Sequence, residues 1–232
     1  MKLSDLEFEY PESLVAVEPS PTSRILCVAG TQAQEISREE LLKQFRPGDL
    51  LLVNNTKVEA RRVFGKSLQG EELEVLFVQD EGDQVWQVLM PARRLKGKTG
   101  FELPGGVTAE LISSGRPQRV RVSQNLTASY FEKFGEVPLP PYIQKARSER
   151  HQRHQDLSWY QTEWAQVSGS SAAPTASLHF SLEDFKKLRT LSVQVEELTL
   201  HVGLGTYLPV EVDDLNDHKM HSEWVAIPKS VT

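Results

Sequence analysis

Leu73-Glu74-Val75-Leu76-Phe77-Val78 and Val85-Trp86-Gln87-Val88-Leu89-Met90 flank the polar stretch Gln79-Asp80-Glu81-Gly82-Asp83-Gln84. Two runs rich in β-branched and aromatic residues around a glycine-bearing polar centre read as a hairpin. The same texture extends downstream. Pro104-Gly105-Gly106 turns into Val107–Ile112, and Ser113-Ser114-Gly115-Arg116-Pro117 turns into Arg119–Val122. Short strands at a spacing of roughly 8–12 residues, with no clear helix between them, build a small barrel or sandwich. The pattern starts near Arg61, so a small all-β barrel domain is expected over 61–136.

The flanks alternate helix and strand. Ile25–Val28 reads as a strand that buries Cys27 as a small hydrophobe. Ser37-Arg38-Glu39-Glu40 has the spacing of a capping box ahead of Leu41, Leu42 and Phe45. Leu50-Leu51-Leu52-Val53 is a continuous apolar run, expected as a strand buried on both faces. Asn125 is expected to cap a helix carrying Tyr130, Phe131 and Phe134, with Gly135 as its stop. Val137 to Ile143 holds three prolines and reads as a rigid extended connector. Ser181-Leu182-Glu183-Asp184 opens a helix with Leu182, Phe185, Leu188 and Leu191 inward, followed by a strand over Val193–Val202. The last residues, Ile227-Pro228-Lys229-Ser230-Val231-Thr232, look like the cap and first turn of a helix. The fold class is therefore mixed α/β, interrupted by an all-β insertion.

Composition narrows the function. The chain has 232 residues, with 26 Lys and Arg against 32 Asp and Glu, a net charge of −6. That excludes a protein coating nucleic acid by bulk charge, while leaving room for local basic surfaces. Two basic stretches are Arg93-Arg94-Leu95-Lys96-Gly97-Lys98 and Lys145 to His154, the latter with Arg147, Arg150 and Arg153. One cysteine excludes a disulfide framework and a cysteine-rich zinc site. The start, Met1-Lys2-Leu3-Ser4-Asp5, lacks a signal peptide's apolar segment, and no apolar run is long enough to span a bilayer, so a cytoplasmic protein without membrane contact is expected.

Polar groups collect at the ends of the apolar strands, where ligands bind in α/β folds. They are Asn54-Asn55-Thr56, Pro174-Thr175, His179, His201, Gly203, Gly205 and the stretch Asp217-His218-Lys219-Met220-His221-Ser222-Glu223. Gly203-Leu204-Gly205 lacks the third glycine and following helix of a dinucleotide fingerprint. His218 and His221 would share one face of a helix and, with Asp217 and Glu223, could hold a divalent metal; acid–base catalysis is the alternative. Ser168-Gly169-Ser170-Ser171-Ala172-Ala173 reads as a loop able to offer backbone donors to an anion. No Gly-x-Ser-x-Gly elbow of a serine hydrolase occurs.

These segments resemble, in order, the motifs of the S-adenosylmethionine:tRNA ribosyltransferase-isomerases of queuosine biosynthesis. The similar stretches are Pro47–Val58, Leu139-Pro140-Pro141-Tyr142-Ile143, Tyr160-Gln161-Thr162, Ala172–Phe180, Leu198–Thr206 and His218–Glu223. Ser177 stands where the family carries glycine, and Ser168 and Ser171 also depart from its pattern. The resemblance implies transfer of the ribosyl part of S-adenosylmethionine to an aminomethyl-deazaguanine in tRNA. The sugar is isomerised to give epoxyqueuosine, with release of adenine and methionine. S-adenosylmethionine is then a ribosyl-donor substrate, tRNA the partner, and no metal is expected. The sulfonium acidifies the neighbouring ribose methylene, so a base is needed, and departing adenine needs a proton donor. His179, His201 and His221 are the expected catalytic groups. Asn55, Arg61, Thr175, Gly203, Gly205, Asp217 and Glu223 are expected to bind substrate. Arg93, Arg94, Lys96, Lys98, Arg147 and Arg150 are expected to meet tRNA phosphates.

The family's members continue with a further α/β segment beyond the position of Thr232. The expected architecture is therefore an incomplete barrel-like α/β domain over 1–60 and 137–232 with the barrel inserted, and an open sheet edge able to pair with a second chain. Three other readings stay open: a catalytically silent tRNA- or nucleoside-binding relative, a metal-dependent hydrolase built on His218 and His221, and a subunit completed by a partner.

Overall fold

The computed structural model describes every residue except Pro21, Ser230 and Thr232. It divides into two compact units, Met1–Val58 with Pro140–Thr232, and Glu59–Leu139. The expected cap and turn at 227–232 falls partly on Ser230 and Thr232, outside the described residues.

After two short 3-10 turns, Leu3–Leu6 and Glu12–Leu14, the first unit forms an antiparallel hairpin of β1 (Ile25–Ala29) and β2 (Gln32–Ile36). Cys27 is only half-buried there, because the two-stranded ribbon has neighbours on too little of its surface to bury it. Helix α1 (Arg38–Leu42) starts as its sequence dictates: the Ser37 side chain accepts from the Glu40 N–H, and the Glu40 carboxylate accepts from the Ser37 N–H. Strand β3 (Leu50–Asn54) is followed after Asn55 by β4 (Thr56–Val58).

The second unit is the barrel. Its strands are β5 (Arg62–Ser67), β6 (Glu72–Gly82), β7 (Val85–Leu89), β8 (Gly100–Leu103), β9 (Val107–Ser113) and β10 (Gln118–Val122). They pair antiparallel in the order β5-β6-β7-β10-β9-β8, and β8 returns to β5, which closes six strands into a ring. The polar stretch 79–84 is mostly strand: β6 runs to Gly82, with register shifts against β7, and the turn is Asp83-Gln84 with positive φ at both. Thr127, not Asn125, holds the N-cap position of helix α2 (Ala128–Phe134), without a side-chain capping bond, and β11 (Gly135–Glu136) pairs with the start of β5. Phe77, Trp86 and Phe131 meet edge to face at 5.5 Å in the core. Full burial of such side chains contributes about 1.5–3 kcal/mol each. Arg62 is 1% exposed and lies 3.0 Å from Glu136 and 3.6 Å from Glu74, which ties β5 to β11 and β6. Burial pushes the Tyr130 phenol up to about 12 while its hydroxyl donates to the Pro104 carbonyl.

The chain returns to the first unit through α3 (Pro141–Arg147). The proline-rich connector is therefore helical in its second half. Pro141 sits in the first turn, where its missing N–H is no loss and its fixed φ suits a helix. After α4 (Asp156–Trp159), β12 (Val167–Ser170) pairs in parallel with β4, so the serine- and glycine-rich stretch is partly strand rather than loop. Helix α5 (Leu182–Thr190) carries a second capping box, Ser181 with Asp184. Phe185 and Leu188 face inward, but Leu182 and Leu191 are exposed. Strand β13 (Gln194–His201) lies between β3, in parallel, and β14 (Trp224–Ala226), antiparallel. Leu42, Leu188 and Val193 form one core cluster here, and Val53, Trp164 and Phe185 another. Leu50 and Leu52 are 46% and 42% exposed, so β3 is not buried on both faces: it is an edge of a three-stranded sheet with packing on one side.

Candidate functional site

The Asn54-Asn55-Thr56 triplet splices β3 to two neighbours. The Asn54 side chain donates to the Leu200 carbonyl at 2.8 Å and accepts from the N–H of Leu200 and of Thr56. The Asn55 amide donates to Glu197 at 3.1 Å and accepts from the Thr199 hydroxyl at 2.6 Å. Its backbone carbonyl accepts from Gln166 and Val167. Asn55 thus fixes the exit of β3 between β13 and the approach to β12. The next residue, Thr56, is fully buried, and its hydroxyl lies 2.8 Å from Nδ1 of His201.

His201 ends β13. Trp224, its partner across the β13–β14 ladder, stacks on its ring at 4.8 Å between centroids and 18° between planes. Gly169 lies on the imidazole as well: a Cβ there would sit 2.6 Å from Nε2, and the φ of +148° is one that L side chains rarely adopt. The Ser170 hydroxyl accepts from the Val202 N–H at 2.7 Å, Ser171 N–H donates to the Val202 carbonyl, and the Tyr207 hydroxyl donates to the Ser171 carbonyl at 2.6 Å. These bonds clamp the end of β12 to the end of β13.

Immediately beyond, Gly203 N–H donates to Glu223 Oε1 at 2.8 Å, and the same oxygen lies 3.3 Å from Nε2 of His221. A Cβ at Gly205 would overlap the His221 ring. His201, Gly203, Gly205, His221 and Glu223 are therefore gathered at the ends of β12, β13 and β14. Tyr207 and Trp224 complete the cluster without having been singled out by sequence, and Thr56, Gly169 and Ser170 join it from stretches that were. Thr56 came from the polar strand end Asn54-Asn55-Thr56 and Ser170 from the loop Ser168–Ala173; for Trp224, only its place after Glu223 could have signalled it.

Other expected residues make contacts of their own. His179 is exposed, with Nδ1 2.8 Å from the Ser23 hydroxyl, and Thr175 is exposed in the same short 3-10 turn. Asp217 is exposed in the turn Leu215–Asp217. His218 follows that turn in extended backbone, so no helix sets it on one face with His221. No cluster of three or more His, Cys, Asp or Glu suited to a metal occurs among the described residues. Tyr160, from the Tyr-Gln-Thr stretch, is buried, which pushes its phenol up to about 12.

In the barrel, Arg61 pairs with Glu59 at 2.9 Å and lies over Trp86 and Phe131, 5.5 and 5.9 Å from their ring centres. Arg93 and Lys98 are exposed, Arg94 donates to the Glu72 carbonyl, and Lys96 pairs with Glu71. The second basic stretch is largely matched by acidic partners. The Arg147 side chain is 4% exposed, pairs with Asp156 at 2.8 Å and donates to the Val17 carbonyl. Both partners hold the guanidinium inside the loop. Arg150 is half-buried. Arg153 bonds Glu149 and Glu18, and Lys145 pairs with Glu12.

Residues 3–232 match the family model described as queuosine biosynthesis protein. Two curated proteins named S-adenosylmethionine:tRNA ribosyltransferase-isomerase are similar. The one from Sulfurihydrogenibium sp. (strain YO3AOP1) is 36% identical over 238 residues, covering 99% of this chain and 69% of that protein. The one from Staphylococcus aureus (strain JH9) is 38% identical over 237 residues, covering 97% and 67%. A solved S-adenosylmethionine tRNA ribosyltransferase from Thermotoga maritima is 21% identical, with a TM-score of 0.33, covering 86% of this chain and 59% of that one. The chain thus spans about two thirds of the curated relatives' length and less of the solved chain. The resemblance read from the ordered motifs is borne out, and the transferase-isomerase reading is favoured over a metal-dependent hydrolase. The chain belongs to the queuosine biosynthesis protein family.

Proposed function

We propose that the chain transfers and isomerises the ribosyl moiety of S-adenosylmethionine onto aminomethyl-deazaguanine in tRNA, giving epoxyqueuosine with release of adenine and methionine. The observation that carries this reading is the convergence of His201 and His221, from motifs about twenty residues apart, on neighbouring strand ends, each ring laid against a glycine. The chemistry asks for one group that takes a proton from the methylene beside the sulfonium and one that gives a proton to departing adenine. Two imidazoles in one cluster meet that demand near neutral pH. Glu223 supplies negative charge beside them for the sulfonium. Asn55 acts by holding the strand exit and Gly203 by holding Glu223. His179, Thr175 and Asp217 enter as substrate contacts, supported by the motifs that carry them.

The reaction needs no metal ion, and its substrates place it in the cytoplasm. No helix among the described residues is long and apolar enough to cross a membrane. Exposed Arg93 and Lys98 are the barrel's candidates for tRNA phosphates. Strand β14, with Trp224 and Val225 57% and 49% exposed, is the sheet edge through which a second copy could pair.

The test is incubation of the chain with S-adenosylmethionine and deazaguanine-modified tRNA, with free adenine as the readout. Adenine release is expected. His201→Ala and His221→Ala should each lower it by about 10²-fold or more, the lower end of what acid–base groups contribute. No adenine from the folded wild-type chain, with both substrates bound, overturns the reading in favour of a silent binding relative.

A further inference from the structure

The geometry points to a division of labour between the two imidazoles, set by two positioning residues: Thr56 makes His201 the proton donor, and Glu223 makes His221 the proton acceptor. The division deepens the proposed activity and rests on it; the protonation geometry beneath it does not.

Thr56 is fully buried on β4. A hydroxyl carries one proton to donate, and leaving it undonated in the interior is costly. Among the described residues the only partner of that hydroxyl is Nδ1 of His201, at 2.8 Å. Nδ1 therefore accepts, and in the neutral ring the proton sits on Nε2. A ring turned to the other tautomer would meet the Thr56 oxygen with its own N–H and strand the hydroxyl proton. His201 thus carries its N–H on the side away from Thr56, as a donor.

His221 is held from the opposite nitrogen. Its Nε2 lies 3.3 Å from Glu223 Oε1, an oxygen already accepting from the Gly203 N–H. An ionised carboxylate only accepts, so Nε2 of His221 bears the proton and Nδ1 keeps the lone pair. Both rings are the same tautomer, yet each is tethered by a different atom, which leaves them opposite working atoms. The lone pair on His221 Nδ1 takes the proton from the methylene carbon beside the sulfonium: the C–H bond breaks, its pair stays on carbon next to the positive sulfur, and an N–H bond forms. The Nε2 proton of His201 passes to the adenine nitrogen as its bond to the sugar breaks, so adenine leaves neutral. Thr56 touches neither substrate atom; it acts through His201.

The experiment is long-range proton–nitrogen correlation NMR on chain labelled with ¹⁵N-histidine. It is recorded near pH 8, above the ordinary imidazole pKa of about 6.5, with signals assigned through His201→Gln and His221→Gln. The expected wild-type pattern places the proton on Nε2 in both rings. Thr56→Val should average the two nitrogens of His201 alone, Thr56→Ser should restore them, and Glu223→Ala should average those of His221 alone. A wild-type proton on Nδ1 of either ring overturns the proposal without need of a variant, as does a His201 pattern indifferent to Thr56→Val. In the adenine-release assay Thr56→Val should lower kcat about tenfold with KM little changed, within the range acid–base catalysis supplies; an unchanged kcat overturns the donor role. These spectra need no substrate, so failure of the proposed reaction would leave the tautomers standing and is told apart from failure of this inference.

Discussion

Gly169 and Gly205 decide whether the two imidazoles can occupy their places. Each lies where a methyl group would enter a ring: a Cβ on Gly169 would stand 2.6 Å from His201 Nε2, and one on Gly205 would overlap His221. Gly205→Ala should therefore push His221 aside. A displacement of about 1 Å at a reacting group costs on the order of 10²-fold, so adenine release should fall by about that factor while the melting temperature moves little. An equal loss of both stability and rate would mean that the glycine serves only the turn. At this scale the sequence was partly legible. The glycines and histidines stood out by type and grouping. The Thr56–His201 bond did not, because it joins positions 145 residues apart and a threonine at a strand end looks like any other. For Arg147 the charge was visible in the sequence, but its burial against Asp156 was not.

Elements show the same contrast between local and distant causes. Both capping boxes, Ser37 with Glu40 and Ser181 with Asp184, form as their spacing requires, because every bond involved lies within four residues. The Leu73–Met90 hairpin was legible because its pairing follows from one short turn between consecutive strands. Whether Leu50 and Leu52 are covered depends on a second layer that no local pattern encodes, and Pro141 starts a helix because proline breaks helices only past their first turn. The loop between α3 and α4 gives a test. Burial alone would raise the Asp156 carboxyl, but Arg147 and the Arg153 N–H outweigh it and hold it below the usual carboxylate range. A carboxyl with a depressed folded pKa stabilises the fold above its unfolded value of about 3.9 and loses that contribution as pH falls through the folded value. Amide exchange over residues 145–156 should thus stay slow at neutral pH and accelerate only below about pH 4. Asp156→Asn, which leaves Arg147 buried without its counter-charge, should destabilise by about 3 kcal/mol at neutral pH, measured by chemical denaturation.

For the whole molecule, net charge and local charge point in different directions. A chain at −6 repels nucleic acid on average, so any tRNA affinity must come from a few uncompensated cations. Most of the 145–154 cluster is matched by Glu12, Glu18, Glu149 and Asp156, whereas Arg93 and Lys98 stay exposed on the barrel. Replacing both by alanine should weaken tRNA binding and reduce the slope of log affinity against log salt by about two, near one for each phosphate contact. A slope unchanged by both substitutions would place the RNA elsewhere. The all-β texture was legible because strand spacing differs from helix periodicity over scores of residues, whereas ring closure by β5 and β8 rests on a pairing that no hairpin signal announces. The pairing of β11 with β5 has one further consequence. Glu136 faces Arg62 and Gly135 faces Val63 across an antiparallel ladder, so the first and last strands of the insertion lie about 5 Å apart. Such a module asks its host to span almost no gap: a short tight turn could bridge the cut ends, and the barrel could be excised or exchanged for another as a cassette.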